Sequence, residues 1–160
     1  MEEQKALASP QAQVIGVKSW LAYAGVAALA VILFGVLLPL SFRWNEMAAL
    51  AVLLLSAALV AYEFLLVRSV QLYIDDLGVW VHSGVLPWKK GVVGVKWRDM
   101  DEATFANGFK SWVTRSYTIR IGHRFTRDSE IVLTNIARGK DAVALVNARH
   151  QALIRAGIVD

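Results

Sequence analysis

The chain has 160 residues, 56% of them hydrophobic, with a mean hydropathy of +0.46 and a formal charge of +4. This apolar excess exceeds what one small water-soluble domain needs, so we expect part of the chain to contact lipid. The sequence contains no cysteine, which excludes disulfides and thiolate chemistry.

Two apolar segments follow the N-terminal stretch. The first is uncharged from Ser19 to Phe42, and the second, Met47 to Val67, holds Glu63 as its only charged residue. Each can span a bilayer, which takes roughly 20 residues at about 1.5 Å rise. The remaining chain is too short to enclose two helices that are apolar on every face. We therefore predict a transmembrane helical hairpin over residues 18–68, with spans at about 19–42 and 47–67.

The charges around the hairpin predict its topology. Only Arg43 to Glu46 joins the two spans, whereas Lys18 and Arg68 flank their other ends. The positive-inside rule then places both termini in the cytoplasm, with residues 1–17 as a cytoplasmic N-terminal segment. That segment is long and acidic, and the apolar run after it is longer than a signal-peptide core, so we expect the first helix to stay as an anchor.

Glu63 and Tyr23 form a candidate intramembrane polar site. An ionisable side chain in an apolar run indicates a function such as a proton relay or a partner contact. Glu63 also lies five residues before Arg68, about 7.5 Å along a helix, where it can pair at the inner interface. In an antiparallel hairpin the Tyr23 hydroxyl would lie close enough to donate to it. The depth of Glu63 favours this structural role.

From Val70 the apolar pattern alternates, as in strands. Val70, Leu72 and Ile74 share one face, and a turn follows at 75–78. Apolar and polar residues alternate again before and after the turn in the stretch SGVLPWKKGVVG. This pattern is typical of an antiparallel sheet with one buried face. Asn107-Gly108 predicts a two-residue hairpin, because a type I′ turn needs positive φ at both central positions.

The last third of the chain predicts two further strands and a helix. Residues 117–125 alternate, EIVLTNI follows a polar turn at 126–129, and a helical period begins near Asp141. Its predicted apolar stripe consists of Val143, Val146, Leu153 and Ile154, and Gly157 is expected to end the helix. Residues 69–160 therefore form a soluble domain of about five to seven short strands and one C-terminal helix.

Trp88, Lys89 and Lys90 form a candidate membrane contact in the turn between two of these strands. The indole would lie at headgroup level while the two ammonium groups meet lipid phosphate. The alternative is a solvated turn in which Pro87 supplies the fixed φ. From Arg68 onward, 14 Lys and Arg stand against 9 Asp and Glu. Such a domain would be attracted to an anionic leaflet by about 1 kcal/mol per basic residue at the surface.

Two spans running straight into LYIDDLGVWVHSGVLPWKKGVVGVKWRDMDEATF, then TIRIGHRF, EIVLTNI and an amphipathic helix, resemble the bacterial pleckstrin-homology-like (PH-like) membrane proteins. The resemblance implies an α+β membrane protein of the inner membrane. A two-helix transmembrane hairpin would be followed by a PH-like antiparallel β-sandwich or partly open barrel, capped by the C-terminal α-helix. It implies no catalytic residues and no cofactor.

Other chemistries find little support in the sequence. His82, His123 and His150 lack metal-ligand spacing. Basic residues could form a nucleic-acid surface with two tryptophans, but no binding motif accompanies them, and we do not expect nucleic-acid binding. These residues are Trp80, Lys96, Arg98, Trp112, Arg115, Arg120 and Arg124.

We expect a non-enzymatic, membrane-anchored binding or scaffold module. It would engage a protein partner, or the anionic headgroup layer, at the cytoplasmic face. The alternative is an oligomeric membrane effector or small transport subunit, in which Glu63 lines a polar path and the soluble domain senses a ligand. Small residues spaced four apart, such as Ala57 and Ala61, would let the helices associate closely within the hairpin or between copies.

Overall fold

The computed structural model describes residues 12–86, 88, 90–106, 108–124 and 130–159. Within these ranges the chain forms seven strands in two antiparallel sheets and two long apolar helices. The elements in chain order are β1 (Gln13–Val17), α1 (Trp20–Phe42), α2 (Glu46–Ser69), β2 (Gln71–Ile74), β3 (Gly78–Ser83), β4 (Gly91–Lys96), β5 (Met100–Ala106), α3 (Phe109–Thr114), β6 (Ser116–His123), β7 (Ile131–Ala137) and α4 (Gly139–Arg155).

Helix α1 is irregular around its proline. It starts with a 3₁₀ turn at Trp20–Tyr23 and widens to a π turn at Leu33–Leu37, directly before Pro39. Proline has no N–H, and its ring would clash with the carbonyl four residues earlier in a regular helix. In the wider turn the Leu38 N–H donates to the Leu33 carbonyl five residues back. The π turn therefore lets the helix continue past the proline.

Helix α2 has complementary ends. The Asn45 side chain caps the first turn by accepting from the Met47 N–H at 2.9 Å, and Arg68 lies in the last turn. Helices α1 and α2 are both long and apolar enough to cross a membrane, and 0% and 6% of their most apolar windows are buried. They are therefore not the core helices of the sheet domain.

The two sheets enclose a shared core. One sheet has the order β1-β2-β3-β4 and the other β5-β6-β7. An isolated bridge between Lys18 and Ile136 joins the β1 side to β7. Helix α4 covers the core with Ala142, Val143 and Val146. The largest fully buried side chains are Leu72, Val79, Val95, Met100, Ile119, Ile121, Ile136 and Val146.

Helix α4 also protects the edge of the second sheet. The Asn147 amide donates to the Ala103 carbonyl at 2.8 Å, and its oxygen accepts from the Ala103 N–H at 3.0 Å. One side chain thus satisfies both backbone groups of this edge residue of β5, as a neighbouring strand would. Such coverage hinders the addition of a foreign strand at this point.

The first strand lies outside the soluble domain that the sequence predicted. Residues 1–17 were expected as a separate N-terminal segment, with all strands after residue 69. Instead β1 pairs with β2, from Gln13 opposite Ile74 to Val17 opposite Gln71. The helical hairpin is therefore inserted between the first two strands of the sheet domain. Only Gly16 is buried in β1, so the strand has no alternating apolar pattern to reveal it.

The connection between β5 and β6 also differs from its prediction. The sequence favours a two-residue hairpin at Asn107-Gly108, of which Asn107 lies outside the described residues. Gly108 has an extended backbone, φ −142° and ψ 167°, and precedes α3. A short helix therefore replaces the predicted type I′ turn, whose positive φ values Gly108 does not adopt.

The C-terminal helix agrees with its prediction in most respects. It starts two residues before Asp141 and ends before Gly157, which has φ +67°. Val143 and Val146 are buried and Leu153 packs against the core, whereas Ile154 is exposed and leaves the predicted stripe.

Candidate membrane interface

Helix α1 is tied to the second sheet at its first residues. The buried Ser19 hydroxyl donates to the Ser116 hydroxyl at 2.8 Å, and the Ser19 N–H donates to the Asn135 carbonyl at 2.7 Å. Lys18 Nζ donates to the Thr134 carbonyl at 2.6 Å, and burial lowers the pKa of this ammonium group. These bonds hold the start of α1 against the ends of β6 and β7.

Helix α2 is tied to the first sheet at its last residue. The Ser69 hydroxyl donates to the Leu66 carbonyl at 2.7 Å and accepts from the Gly84 N–H at 3.0 Å. The Ser69 carbonyl lies 3.3 Å from Nδ1 of His82. The end of α2 is thus bonded to the end of β3.

These two attachments define one end of the sheet domain, which we call the proximal edge. Its described residues are Lys18, Ser19, Arg68, Ser69, residues 84–86, Trp88, Lys90, residues 108–116 and residues 137–141. The opposite end, the distal end, comprises the 75–77 turn, Trp97–Asp99 and Arg149. Both long helices leave the domain at the proximal edge, one beside each sheet.

Two of the three predicted contact residues, Trp88 and Lys90, lie at this edge. Trp88 is 77% exposed and Lys90 is also exposed. Lys89 lies outside the described residues. The turn starts at Gly84, the residue that donates to the Ser69 hydroxyl. Trp88 is therefore only a few residues along the chain from Gly84, which is bonded to the end of α2.

Charge is distributed unevenly between the two ends. Among the described residues of the proximal edge, Asp141 is the single acidic one, against the basic Lys18, Arg68, Lys90, Arg115, Arg138 and Lys140. The distal end holds Asp75, Asp76 and Asp99 beside Arg98 and Arg149. Among the described residues the ion pairs are Arg98–Asp99, Arg120–Glu130 and Arg149–Asp76, and none includes a residue of the basic set. The proximal edge is therefore a basic surface.

The candidate intramembrane site is only partly assembled. The ring of Tyr23 packs against Phe64, the neighbour of Glu63, with centroids 5.3 Å apart. Glu63 is half-buried. No side-chain hydrogen bond or ion pair joins Glu63 or Tyr23 to another described residue. The structure thus brings the two helices together at this level without the expected Tyr23–Glu63 bond.

The distal end is organised around a buried carboxylate. Asp75 Oδ1 accepts from the Leu77 and Gly78 N–H groups and from the Trp80 indole, at 2.8 to 2.9 Å. The Asp75 carbonyl accepts from the Trp97 indole at 2.9 Å. Burial, and then the Asp75 charge, raise the pKa of Tyr73. A cavity of about 270 Å³ beside this turn is lined by Gln13, Ile74, Asp75, Asp76, Leu145 and Arg149.

The histidines and basic residues are dispersed. Within the described ranges no group of three or more His, Asp or Glu side chains could hold a metal ion. The residues considered for nucleic-acid binding divide between the two ends. Trp112 and Arg115 are proximal, whereas Arg98 is distal and the Trp80 indole is bonded to Asp75.

Sequence reasoning missed the serines that attach the helices. Ser19 and Ser69 stand at the boundaries of apolar runs, where serine is common and does not by itself predict a contact with the sheets. The position of each serine is the available signal, because each stands next to a basic residue at a helix end. A hydroxyl that folding removes from water there needs a hydrogen-bond partner.

The protein thus belongs to the mixed helix and sheet class. Its two long apolar helices both extend from the same basic end of a two-sheet domain. Compared with protein families, with curated proteins and with solved structures, the chain matches none of them.

Proposed function

We propose that this chain is a non-enzymatic, membrane-anchored module of the bacterial inner membrane. Helices α1 and α2 cross the bilayer, and a PH-like domain rests on the anionic headgroup layer of the cytoplasmic leaflet. Its distal end then faces the cytoplasm and is free to bind a protein partner.

Several features support membrane insertion. Both long helices expose apolar side chains along their length, including Leu54 and Leu55 in the middle of α2. The 23 residues of α1 extend about 34 Å, enough to cross the hydrocarbon layer. Aromatic residues mark both ends of the pair, with Trp20 and Tyr23 at one and Phe42 and Trp44 at the other.

The PH-like assignment is supported by the arrangement of the strands. The resemblance implies seven strands in a pair of antiparallel sheets with a C-terminal helix over the core, and the described chain has seven strands, divided four and three between two antiparallel sheets, with α4 over the core. The insertion of the hairpin between β1 and β2 departs from the expected order, in which the hairpin precedes the whole domain.

The observation that carries the proposal is the proximal edge. Its basic residues lie where the two apolar helices leave the domain, so the same surface satisfies the positive-inside rule and faces the headgroups. The acidic turn at Asp75 and Asp76 lies at the other end. An anionic leaflet would therefore attract the proximal edge more strongly than the distal end.

The full chain is needed to test this proposal, because a fragment that starts at Ser69 lacks β1. The chain has no cysteine, so a single Trp88→Cys substitution can carry an environment-sensitive fluorophore. We expect its emission to shift to shorter wavelength in phosphatidylglycerol vesicles relative to phosphatidylcholine vesicles, and the shift to shrink at high salt.

A matched label at Leu77→Cys, in the distal turn, should give the same emission in both lipids. Lys89→Glu/Lys90→Glu in the Trp88→Cys background should abolish the lipid-dependent shift. Identical emission from the 88 and 77 positions in every vesicle would contradict contact between the turn and the headgroups.

A specific observation also favours the oligomeric alternative. The hairpin carries an apolar cavity of about 500 Å³ lined by Phe34, Ala57, Val60, Ala61, Phe64 and Leu65. Ala57 and Ala61 allow close helix approach there, and Glu63 lies on the same stretch of α2. Two helices per chain enclose a path only in several copies. A monomer in mild detergent, or unchanged ion flux in Glu63→Gln vesicles, would count against this alternative.

A further inference from the structure

Helix α3 presents its apolar side chains away from the protein. Phe109 is 82% exposed, Trp112 69% and Val113 57%, whereas Ser111 and Thr114 are half-buried. Ser111 and Thr114 are three residues apart and so share a face, which is turned toward the domain. A surface helix of a water-soluble domain has the opposite arrangement, with its apolar stripe inward.

The C-terminal end of α3 lies beside the start of α1. The Trp20 indole donates to the Thr114 carbonyl at 3.1 Å, and Ser116, the second residue after α3, accepts a hydrogen bond from the Ser19 hydroxyl. Trp20 is itself largely exposed, and the rings of Phe109 and Trp112 are 6.4 Å apart. We call Trp20, Phe109, Trp112 and Val113 the α3 patch.

The surroundings of the patch are basic. Arg115 follows α3 and is exposed. The sequence holds no acidic residue between Glu102 and Asp128. An apolar, aromatic surface with basic flanks is the composition of segments that lie in the interface of an anionic membrane.

We propose that α3 is an interfacial anchor, which lies along the leaflet that α1 enters and inserts Phe109, Trp112 and Val113 at the boundary between headgroups and acyl chains. The occupant of the patch is lipid, because Trp20 makes the patch continuous with the helix that enters the bilayer. This inference rests on the proposed function, since the leaflet is present there only if α1 spans the membrane.

The anchor supplies the second sheet with its own membrane contact. The first sheet approaches the surface through the turn at Trp88, beside the end of α2. The second sheet approaches it through α3, beside the start of α1. With one membrane contact on each sheet, in addition to the two helix attachments, the domain is held at a fixed tilt relative to the bilayer.

The test uses nitroxide spin labels on single cysteines of the full chain in phosphatidylglycerol/phosphatidylcholine vesicles. The sites are Val113→Cys in the patch, Leu77→Cys in the distal turn and Leu54→Cys in the middle of α2, all exposed in the wild-type protein. Collision with oxygen, which concentrates in lipid, is compared with collision with a water-soluble nickel complex.

We expect oxygen to dominate strongly at position 54 and moderately at 113, and the nickel complex to dominate at 77. If 54 is in lipid while 113 is as accessible to nickel as 77, the anchor is overturned and the proposed function stands. If 54 is itself accessible to nickel, both proposals are overturned. If 113 is shielded from both reagents, a protein surface covers the patch, such as a second copy, and the lipid anchor is overturned.

A second variant separates insertion from mere proximity. Phe109→Ser/Trp112→Ser in the Val113→Cys background keeps the bonds of Ser19 and Trp20, so the position of α3 beside α1 is retained. We expect the oxygen dominance at 113 to be lost while the value at Leu54→Cys is unchanged. An unaltered value at 113 would mean that the aromatic rings do not hold the helix in the interface.

Discussion

His150 is a buried ring that the sequence could not distinguish from a solvent-exposed one. It stacks on Trp97, with ring centroids 6.3 Å apart and planes 20° apart, and among the described residues Nε2 has no hydrogen-bond partner. Burial lowers its pKa, a hydrogen bond with the Trp97 backbone opposes this shift, Arg124 lowers the pKa further and Asp101 raises it. The neutral ring is therefore the form that fits the fold.

Stability should consequently fall on mild acidification. The unfolded chain takes up a proton near the ordinary histidine pKa of 6.5, whereas the folded chain does so only at lower pH. The contribution of neutral His150 to the free energy of unfolding is therefore complete above pH 6.5 and is lost as the pH falls from 6.5 through the lower pKa of the folded state. We expect the thermal midpoint of the full chain in detergent to drop between pH 7.5 and 5. His150→Phe, which keeps a ring on Trp97, should flatten this slope, and parallel profiles would disprove the assignment.

The turn at Asp75 was predicted from the sequence, but not all the hydrogen bonds of its carboxylate were. The pair Asp75-Asp76 correctly indicates a turn, because an aspartate can accept from the backbone two and three residues on. The sequence does not reveal that the same oxygen also accepts from the Trp80 indole. That bond depends on the strand register, which local patterns do not specify.

Among the secondary-structure elements, the pairing of β3 with β4 depends on one glycine, Gly94. Trp80 lies opposite Gly94, and a Cβ on Gly94 would be 2.0 Å from the indole Cε3. The ring therefore occupies the space above the glycine, as aromatic residues do over strand glycines elsewhere. Gly91, in the same strand, has no atom within 4 Å of an added Cβ.

Alanine substitutions should separate these two glycines. We expect Gly94→Ala to lower the free energy of unfolding by about 2 kcal/mol, because the methyl group displaces the Trp80 ring. Gly91→Ala should change it by less than about 0.5 kcal/mol. In a Trp80→Ala background the cost of Gly94→Ala should shrink, which denaturant titration of all four variants in detergent can measure. Equal costs in both backgrounds would mean that the ring is not the obstacle.

Prediction of elements succeeded where apolar periodicity was long or regular. Helices α1 and α2 follow from two runs, residues 19–42 and 47–67, in which almost every residue is apolar, and β7 follows from EIVLTNI. Strand β1 was missed because its buried position is Gly16, where an added Cβ would be 3.1 Å from Ile136. Helix α3 was missed because six residues with an outward apolar side carry no period of a soluble helix.

At the scale of the whole molecule, the position of the domain relative to the hairpin depends on the serine attachments. Ser69→Ala removes the acceptor of the Gly84 N–H and should loosen the first sheet from α2. We expect a spin label at Trp88→Cys to become more mobile in this variant. Ser83→Ala, at the end of β3, is the control and should leave the spectrum unchanged. Equal spectra for both variants would assign the attachment to backbone contacts alone.

The basic proximal edge could not be assembled from the sequence. Its basic residues come from both sides of the hairpin and from three separate connections of the sheets. The positive net charge of residues 68–160 can be read from the sequence, but the gathering of basic residues at one end of the domain follows from the topology. The sequence therefore predicts a basic domain, but it does not show on which surface of the domain the basic residues gather.

The insertion of the hairpin between β1 and β2 makes completion of the domain depend on correct biosynthesis. Strand β1 leaves the ribosome first, and its partner Ile74 follows Gln13 by 61 positions, after both helices. With the helices across a bilayer, β1 and β2 meet on the same side only if both have inserted. A chain that inserts one helix leaves β1 stranded on the opposite side, with the core open along β2. If the helices span a bilayer as proposed, a misinserted chain would therefore lack a complete domain and would be exposed to proteolytic removal.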